Sequence, residues 1–152
     1  MWFSRKQVAT SPQGQAGVDS GQRETSQITT KRLGDAAESV ALAHLVKAGL
    51  KRVETNYRTP GRGGGEIDLI MRESDGTLVF IEVRQRSGQS HGGAGASISS
   101  VKQQRIIFAA RHYLMRFSSL PPCRFDVVLV QGTLMAPQNI QIQWLRGAFD
   151  AS

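Results

Sequence analysis

Residues 65–87 read GEIDLIMRESDGTLVFIEVRQRS, and this stretch decides the fold. Two apolar runs flank a Ser-Asp-Gly sequence that favours a tight turn, so the pattern predicts a β-hairpin. Side chains alternate between the two faces of a strand, which leaves each strand with one wholly apolar face. On the first strand that face consists of Ile67, Leu69 and Met71. The opposite face becomes ionic away from the turn, at Glu66, Asp68 and Glu82, and we expect these carboxylates to lie near one another.

The register of the hairpin decides whether two of these carboxylates meet. Residues directly opposite each other on antiparallel strands share a face. If Asp68 lies opposite Glu82, Glu73 lies opposite Thr77, and the loop between them ends at Gly76. We predict this register, with Gly76 in the left-handed conformation. A shift by one residue would put the two carboxylates on opposite faces unless a bulge corrected it.

Apolar periodicity extends the fold on both sides of the hairpin. A helix is predicted from Gly34, with acidic residues in its first turn and Gly49 as its stop. A second helix is predicted after the hairpin, with Ser99 or Ser100 as its N-cap. Further strands are predicted at 50–59, 123–131 and 139–147. The order α-β-β-β-α-β-β indicates the α/β class, with a mixed sheet flanked by helices.

The amino-terminal segment differs in composition from the rest. Residues 1–30 are rich in Gln, Ser, Thr and Gly and have neither helical nor strand periodicity. We interpret them as a disordered polar arm, followed by one domain at 31–152.

The sequence also indicates a cellular compartment. Residues 1–10 lack the apolar centre of a signal peptide, and no apolar run reaches membrane-spanning length. Cys123 is the single cysteine, so no intramolecular disulfide can form, and we expect this residue to be buried before a strand. We therefore expect a cytoplasmic protein without a membrane partner.

The charge balance favours a polyanionic partner. The chain has 19 Lys and Arg residues against 12 Asp and Glu, a formal net charge of +7 at pH 7. Such an excess is typical of nucleic-acid-binding proteins, although many small proteins are basic without a specific reason. Arg58 and Arg62 flank the glycine-rich loop before the hairpin and are candidate phosphate contacts. Lys102 and Arg105, one turn apart on the second helix, would either contact phosphate or form a solvated helix face.

Carboxylates in apolar strands need a partner that keeps them ionised. One alternative is a salt bridge from Arg84 to Glu82 or Asp68. The other is a Mg²⁺ or Mn²⁺ site in which Asp68, Glu82 and a backbone carbonyl hold the cation. A cation there would bind a phosphate and lower the pKa of an attacking water, and Arg84 would stabilise the developing charge. The residues alone leave both alternatives open.

These motifs together resemble a known group of proteins. Gly65–Ile70 followed by Val79–Arg84 resembles the PD-(D/E)xK signature of the restriction-endonuclease-like superfamily. More closely, the chain resembles the YraN family of small bacterial proteins, over residues from about 32 to 150. The further segments that carry this resemblance are Gly34–Glu38, Asn56–Arg58, Arg124–Val128 and Ala148–Phe149.

The resemblance implies an αβββαβ core in which Asp68 and Glu82 bind the metal and Glu38 assists it from the first helix. A first-turn Glu that complements the helix dipole is the alternative for Glu38. Arg84 occupies the place of the signature lysine, and Ile67 that of the signature proline. Unlike Lys, Arg cannot act as a general base near neutral pH.

The implied function is that of a Mg²⁺- or Mn²⁺-dependent nuclease acting on DNA rather than RNA, on branched or processed structures among others. A nucleic-acid-binding protein without turnover is the alternative on the same fold. An interaction module that contacts nucleic acid little is a third.

Overall fold

The computed structural model describes residues 19–86, 98–132 and 136–151. Within these residues the chain forms α1 (Asp19–Lys47), β1 (Lys51–Arg58), β2 (Glu66–Arg72), β3 (Leu78–Arg86), α2 (Ser100–Leu114), β4 (Cys123–Gln131) and β5 (Gln141–Phe149). A short 3-10 turn, Pro137–Asn139, precedes β5. The predicted element order and the αβββαβ core are confirmed.

The strands form one mixed sheet in the order β1-β2-β3-β4-β5. The pair β3 and β4 is parallel, and the other three pairs are antiparallel. A parallel pair needs a crossover connection, and α2 lies in it. The helices pack on opposite faces of the sheet, α1 over one hydrophobic cluster and α2 over the other. The predicted mixed sheet flanked by helices is therefore confirmed.

The hairpin adopts the predicted register. Leu69 pairs with Ile81, and the Glu73 N–H donates to the Thr77 carbonyl oxygen at 2.9 Å. Gly76 has a φ of 93°, as the three-residue loop requires. Backbone pairing of β2 with β3 ends at Leu69 and Ile81, so the next opposed positions at the open end carry carboxylates.

Two apolar clusters hold the helices to the sheet. The α1 cluster includes Ala41, Leu45 and Val79, and the α2 cluster includes Phe80 and Ile106. These five residues are at most 1% exposed. Burying a side chain such as Leu, Ile or Phe contributes roughly 1.5–3 kcal/mol each. The two clusters therefore fix both helices relative to the open end of the hairpin.

The predicted alternation of β2 was wrong at one residue. Leu69 and Met71 pack in the α1 cluster as expected, but Ile67 packs in the α2 cluster. The adjacent strand explains the change: Asn56 has a φ of 54°, and the next residue, Tyr57, pairs with Ile67 and belongs to the same cluster. Asn adopts this left-handed conformation more readily than most residues, so the irregularity in β1 has a local cause in the sequence.

Two further expectations were wrong. The first helix begins at Asp19 rather than at Gly34, so it includes residues 19–30 of the predicted disordered arm. Extending an existing helix costs little per residue once its packed half has formed, even without an apolar stripe. Residues 1–18 of the arm lie outside the described residues. Cys123 starts β4 and is exposed rather than buried.

Among the described helices, none combines the length and the apolar character needed to cross a membrane.

Candidate metal centre

Asp68 and Glu82 lie side by side at the open end of the hairpin. The Val83 N–H donates a hydrogen bond of 2.8 Å to Asp68 Oδ2, which holds the carboxylate against β3 where backbone pairing stops. Glu82 is 7% exposed. Its Oε1 lies 3.3 Å from Lys102 Nζ, and its buried Oε2 has no hydrogen-bond partner within the described part of the chain. A buried carboxylate oxygen without a donor is rare in folded proteins.

The two carboxyls affect each other in opposite directions: Asp68 raises the pKa of Glu82, whereas a hydrogen bond from the Glu82 carboxyl lowers that of Asp68. Burial raises the pKa of Glu82 to about 8, and the neighbouring Asp68 charge adds to the effect, while Lys102 opposes it. Burial also raises the pKa of Asp68, against the opposing hydrogen bonds from the Val83 N–H and the Glu82 carboxyl and the charge of Lys102. Near neutral pH the surrounding protein therefore does not fully compensate the negative charge of two ionised carboxylates. A proton or a bound cation would compensate it.

Glu38 faces the same region from α1. Burial raises its pKa to about 7, the Asp68 charge contributes next, and a hydrogen bond from the Asn56 side chain opposes the shift. Because α1 begins at Asp19, Glu38 is not in the first turn, and the alternative that it complements the helix dipole was wrong. Among the residues described, however, no three His, Cys, Asp or Glu side chains are close enough to hold one metal ion. Glu38 therefore lies within electrostatic range of Asp68 but does not complete a three-carboxylate set among the described residues.

Two basic side chains lie beside Glu82. Arg84 and Lys102 line a cavity of about 440 Å³ together with Glu82, Ile98 and Ser99. The Ser99 side chain accepts a hydrogen bond of 3.2 Å from the Lys102 N–H, as predicted for the N-cap of α2. Sequence reasoning treated Lys102 as a phosphate contact or a solvated residue, and the structure places it against Glu82. No local spacing links the two residues, since a crossover separates them.

The glycine-rich loop before β2 is clamped against α2. The Gly65 N–H donates to Thr59 Oγ1 at 2.7 Å. A Cβ on Gly65 would lie 2.0 Å from the Arg105 carbonyl oxygen, so only glycine fits this approach. The clamp brings exposed Arg62 and exposed Arg105 to the same end of the molecule as the carboxylates. Arg58 lies there too and pairs with Glu66 at 3.4 Å, both side chains being exposed.

Comparison with known proteins identifies the family. Residues 37–130 match the model of a family described as "Uncharacterised protein family UPF0102". The chain belongs to this family. A UPF0102 protein of Polaromonas naphthalenivorans (strain CJ2) is 68% identical over 155 residues, which cover 100% of both chains. One of Polaromonas sp. (strain JS666 / ATCC BAA-500) is 66% identical over 154 residues, also covering 100% of both. One of Cupriavidus taiwanensis is 50% identical over 129 residues, covering 85% of this chain and 91% of the relative.

The family resemblance drawn from the sequence is thereby confirmed. The UPF0102 match spans every residue of the candidate centre: Glu38, Asp68, Glu82, Arg84 and Lys102. In this UPF0102 chain the fold brings the carboxylates from β2 and β3, the ammonium from α2 and a further carboxylate from α1 to one end of the sheet. Sequence reasoning missed the contact of Lys102 with Glu82 and the left-handed backbone of Asn56 within β1. A signal existed only for Asn56, since Asn is enriched at positive φ.

Proposed function

We propose that this UPF0102 protein is a metal-dependent nuclease that hydrolyses phosphodiester bonds in DNA, including branched or processed DNA. The observation that carries the proposal is the buried carboxylate pair, in which Glu82 Oε2 lacks a partner among the described residues. A pair arranged only for stability would have its oxygens satisfied by donors. Perturbed carboxylates in a cleft are typical of functional sites.

The residues present fit a hard divalent cation. Asp68 and Glu82 would hold Mg²⁺ or Mn²⁺, because both ions prefer carboxylate oxygens. Mg²⁺ usually takes one or two protein carboxylates and keeps several waters, so a third acidic side chain is not required. When bound, the cation would polarise a phosphate oxygen and lower the pKa of a coordinated water.

The remaining residues would handle the polyanion. Arg84 and Lys102 line the cavity beside Glu82 and would offset the repulsion between carboxylates and phosphate. Arg62 and Arg105 lie at the same end of the molecule and would position the backbone of the nucleic acid. Glu38, whose pKa the Asp68 charge helps to raise, would orient water at the site. A cytoplasmic location, where DNA is accessible, is part of this proposal.

The test is a cleavage assay with Mn²⁺ on duplex, single-stranded and four-way-junction DNA. Wild type should cleave at least one of these substrates, chelation should stop the reaction, and Asp68→Ala should be inactive while remaining folded. Cleavage that persists in Asp68→Ala would contradict the assignment of the site.

A nucleic-acid-binding protein without turnover is the second candidate. It is favoured by the 3.3 Å ion pair of Lys102 with Glu82, which partly neutralises the centre without a metal. This candidate predicts salt-sensitive DNA binding that a chelator does not change, together with no cleavage of any of the three substrates.

A further inference from the structure

Two cations from different elements flank the same buried carboxylate. Arg84 stands on β3, two residues after Glu82, and Lys102 stands in the first turns of α2. Both line the cavity of about 440 Å³ beside Glu82. Lys102 brings its Nζ to 3.3 Å from Glu82 Oε1.

We propose that Lys102, carried on α2, is the catalytic lysine of this centre and that its ammonium stabilises the charge developing on the scissile phosphate. The inference rests on the proposed function and adds a catalytic residue to it. In the hydrolysis, a water oxygen bonds to phosphorus and one phosphorus–oxygen ester bond breaks. The proton released by the water balances the alkoxide that leaves. Lys102 acts through its fixed positive charge and takes no part in the proton transfer.

The position of Lys102 is built into the fold rather than left to a mobile side chain. The Ser99 side chain caps its N–H, and Gln103 Nε2 donates to the Ile98 carbonyl oxygen at 3.0 Å. Ile98 itself is buried in the α2 cluster. Gly65 packs directly against the α2 backbone at Arg105. The start of α2 is thus held from both sides, which is the pre-organisation that electrostatic catalysis requires.

The Lys102 ammonium can donate hydrogen bonds to a phosphate as well as to Glu82. A lysine has three N–H donors, and one of them suffices for Glu82 Oε1. The Lys102 side chain is 41% exposed, in contrast to 9% for Glu82, so its head group faces both the carboxylate and the open cavity. An ammonium is a compact point charge that suits a single phosphate oxygen, whereas a guanidinium suits planar, bidentate recognition.

A purely structural ion pair does not account for the arrangement. A cation present only to neutralise Glu82 would be expected to leave no carboxylate oxygen without a donor. Lys102 contacts Oε1, and Oε2 still lacks a partner among the described residues. The ion pair therefore leaves Glu82 Oε2 available to a bound cation once Glu82 and the neighbouring Asp68 are both ionised.

The experiment compares wild type with Lys102→Met, Lys102→Arg and the double variant Lys102→Met/Arg84→Lys. Met keeps most of the apolar stem but removes the charge, and Lys51→Met at the opposite end of the sheet is the control. Four quantities are measured: single-turnover cleavage with Mn²⁺, DNA affinity with chelator, the thermal shift caused by Mn²⁺ alone, and the urea midpoint.

Lys102→Met should lower single-turnover cleavage by roughly 10²–10³-fold, the usual cost of one electrostatic donor. DNA affinity and the urea midpoint should fall much less than cleavage does, and the Mn²⁺ shift should persist. Lys102→Arg should retain more cleavage than Lys102→Met. The double variant, which returns a lysine to β3, should recover at least about tenfold over Lys102→Met, and a merely structural role predicts no such rescue.

Other results would overturn the inference in distinguishable ways. Wild-type cleavage with less than a threefold loss in Lys102→Met would remove Lys102 from the chemistry and leave the proposed function intact. A lost Mn²⁺ shift or a lowered urea midpoint that accounts for the whole loss of cleavage would make Lys102 a structural partner of Glu82. DNA binding without cleavage by wild type would refute the nuclease proposal, and the catalytic role of Lys102 with it.

Discussion

Replacing Glu82 with Gln should make the metal-free protein more stable, although it removes the carboxylate that pairs with Lys102. Glu82 is 7% exposed, and its pKa is raised from 4.5 to about 8, first by burial and then by the Asp68 charge. Below about pH 4.5 the Glu82 carboxyl is protonated in both the folded and the unfolded chain, so its ionisation does not lower the free energy of unfolding. As pH rises towards 8, the unfolded chain loses a proton that the folded protein keeps, so the free energy of unfolding falls.

The size of the effect follows from the shift. Each pKa unit corresponds to 1.36 kcal/mol, so the full shift corresponds to roughly 5 kcal/mol at pH values above both pKa values. Because Lys102 is half-exposed, water can reach the ionised Glu82 and lower the free-energy cost of its charge. We therefore expect a loss of about 2–4 kcal/mol in the free energy of unfolding. Gln cannot ionise, so the variant does not lose free energy of unfolding as pH rises. The free energy of unfolding of Glu82→Gln should therefore exceed that of wild type by under about 1 kcal/mol at pH 5 and by about 2–4 kcal/mol at pH 8.5.

Urea unfolding in EDTA at pH 5, 6.5 and 8.5 measures this difference. Glu73→Gln is the matched control, because Glu73 pairs with Arg124 at 2.7 Å and its pKa is lowered by that hydrogen bond. The stabilisation from Glu73 is present above its unfolded pKa and is lost as pH falls, so Glu73→Gln should destabilise at neutral pH. If Glu82→Gln also destabilises the protein at every pH, Glu82 is a structural partner of Lys102 and the reasoning for a metal centre fails.

Three further predictions concern the metal, the nucleic acid and the loop clamp. Mn²⁺ at about 100 times its dissociation constant should raise the free energy of unfolding by about 2.7 kcal/mol in wild type; an equal gain in Asp68→Ala, measured by thermal unfolding, would argue against the site. Arg105→Ala should lower DNA affinity and reduce the salt slope of log K by about one, whereas Lys51→Ala should change neither; anisotropy titrations at several salt concentrations decide this. Gly65→Ala places a Cβ 2.0 Å from the Arg105 carbonyl oxygen and should cost about 1–3 kcal/mol or more, whereas Gly34→Ala, with nothing within 4 Å, should gain about 0.5–1 kcal/mol; equal urea midpoints would contradict the clamp.

The hairpin was predictable because its determinants are local. Alternating apolar residues and a Ser-Asp-Gly turn specify both the strands and their register, and that register places Asp68 beside Glu82. The start of α1 at Asp19 was not predictable in this way, since the residues before Gly34 carry no apolar stripe that would signal a helix.

The ammonium beside Glu82 was not predictable from spacing either. Lys102 reaches Glu82 only because the crossover between β3 and β4 packs the start of α2 beside the middle of β3, and such contacts leave no local pattern in a sequence. Glu38 was found through the family resemblance, and its proximity to Asp68 became visible only with α1 packed on the sheet. The local sequence pattern thus predicted that Asp68 and Glu82 lie together. Lys102 and Glu38 come near them only through tertiary packing.

Two adjacent strands treat buried carboxylates in opposite ways, although Asp126 is level with Ile81, the residue before Glu82. Asp126, fully buried on β4, accepts hydrogen bonds from Arg124 Nε, from Trp144 Nε1 at 2.8 Å and from the Gly147 N–H at 2.9 Å. This chain can therefore satisfy a buried carboxylate completely where the fold needs one. On the neighbouring strand β3, Glu82 has one ion-pair partner and an oxygen with no hydrogen-bond donor among the described residues. A protein able to satisfy Asp126 but retaining an unsatisfied Glu82 accepts a loss of stability there, and such a loss is expected where the missing partner is a ligand.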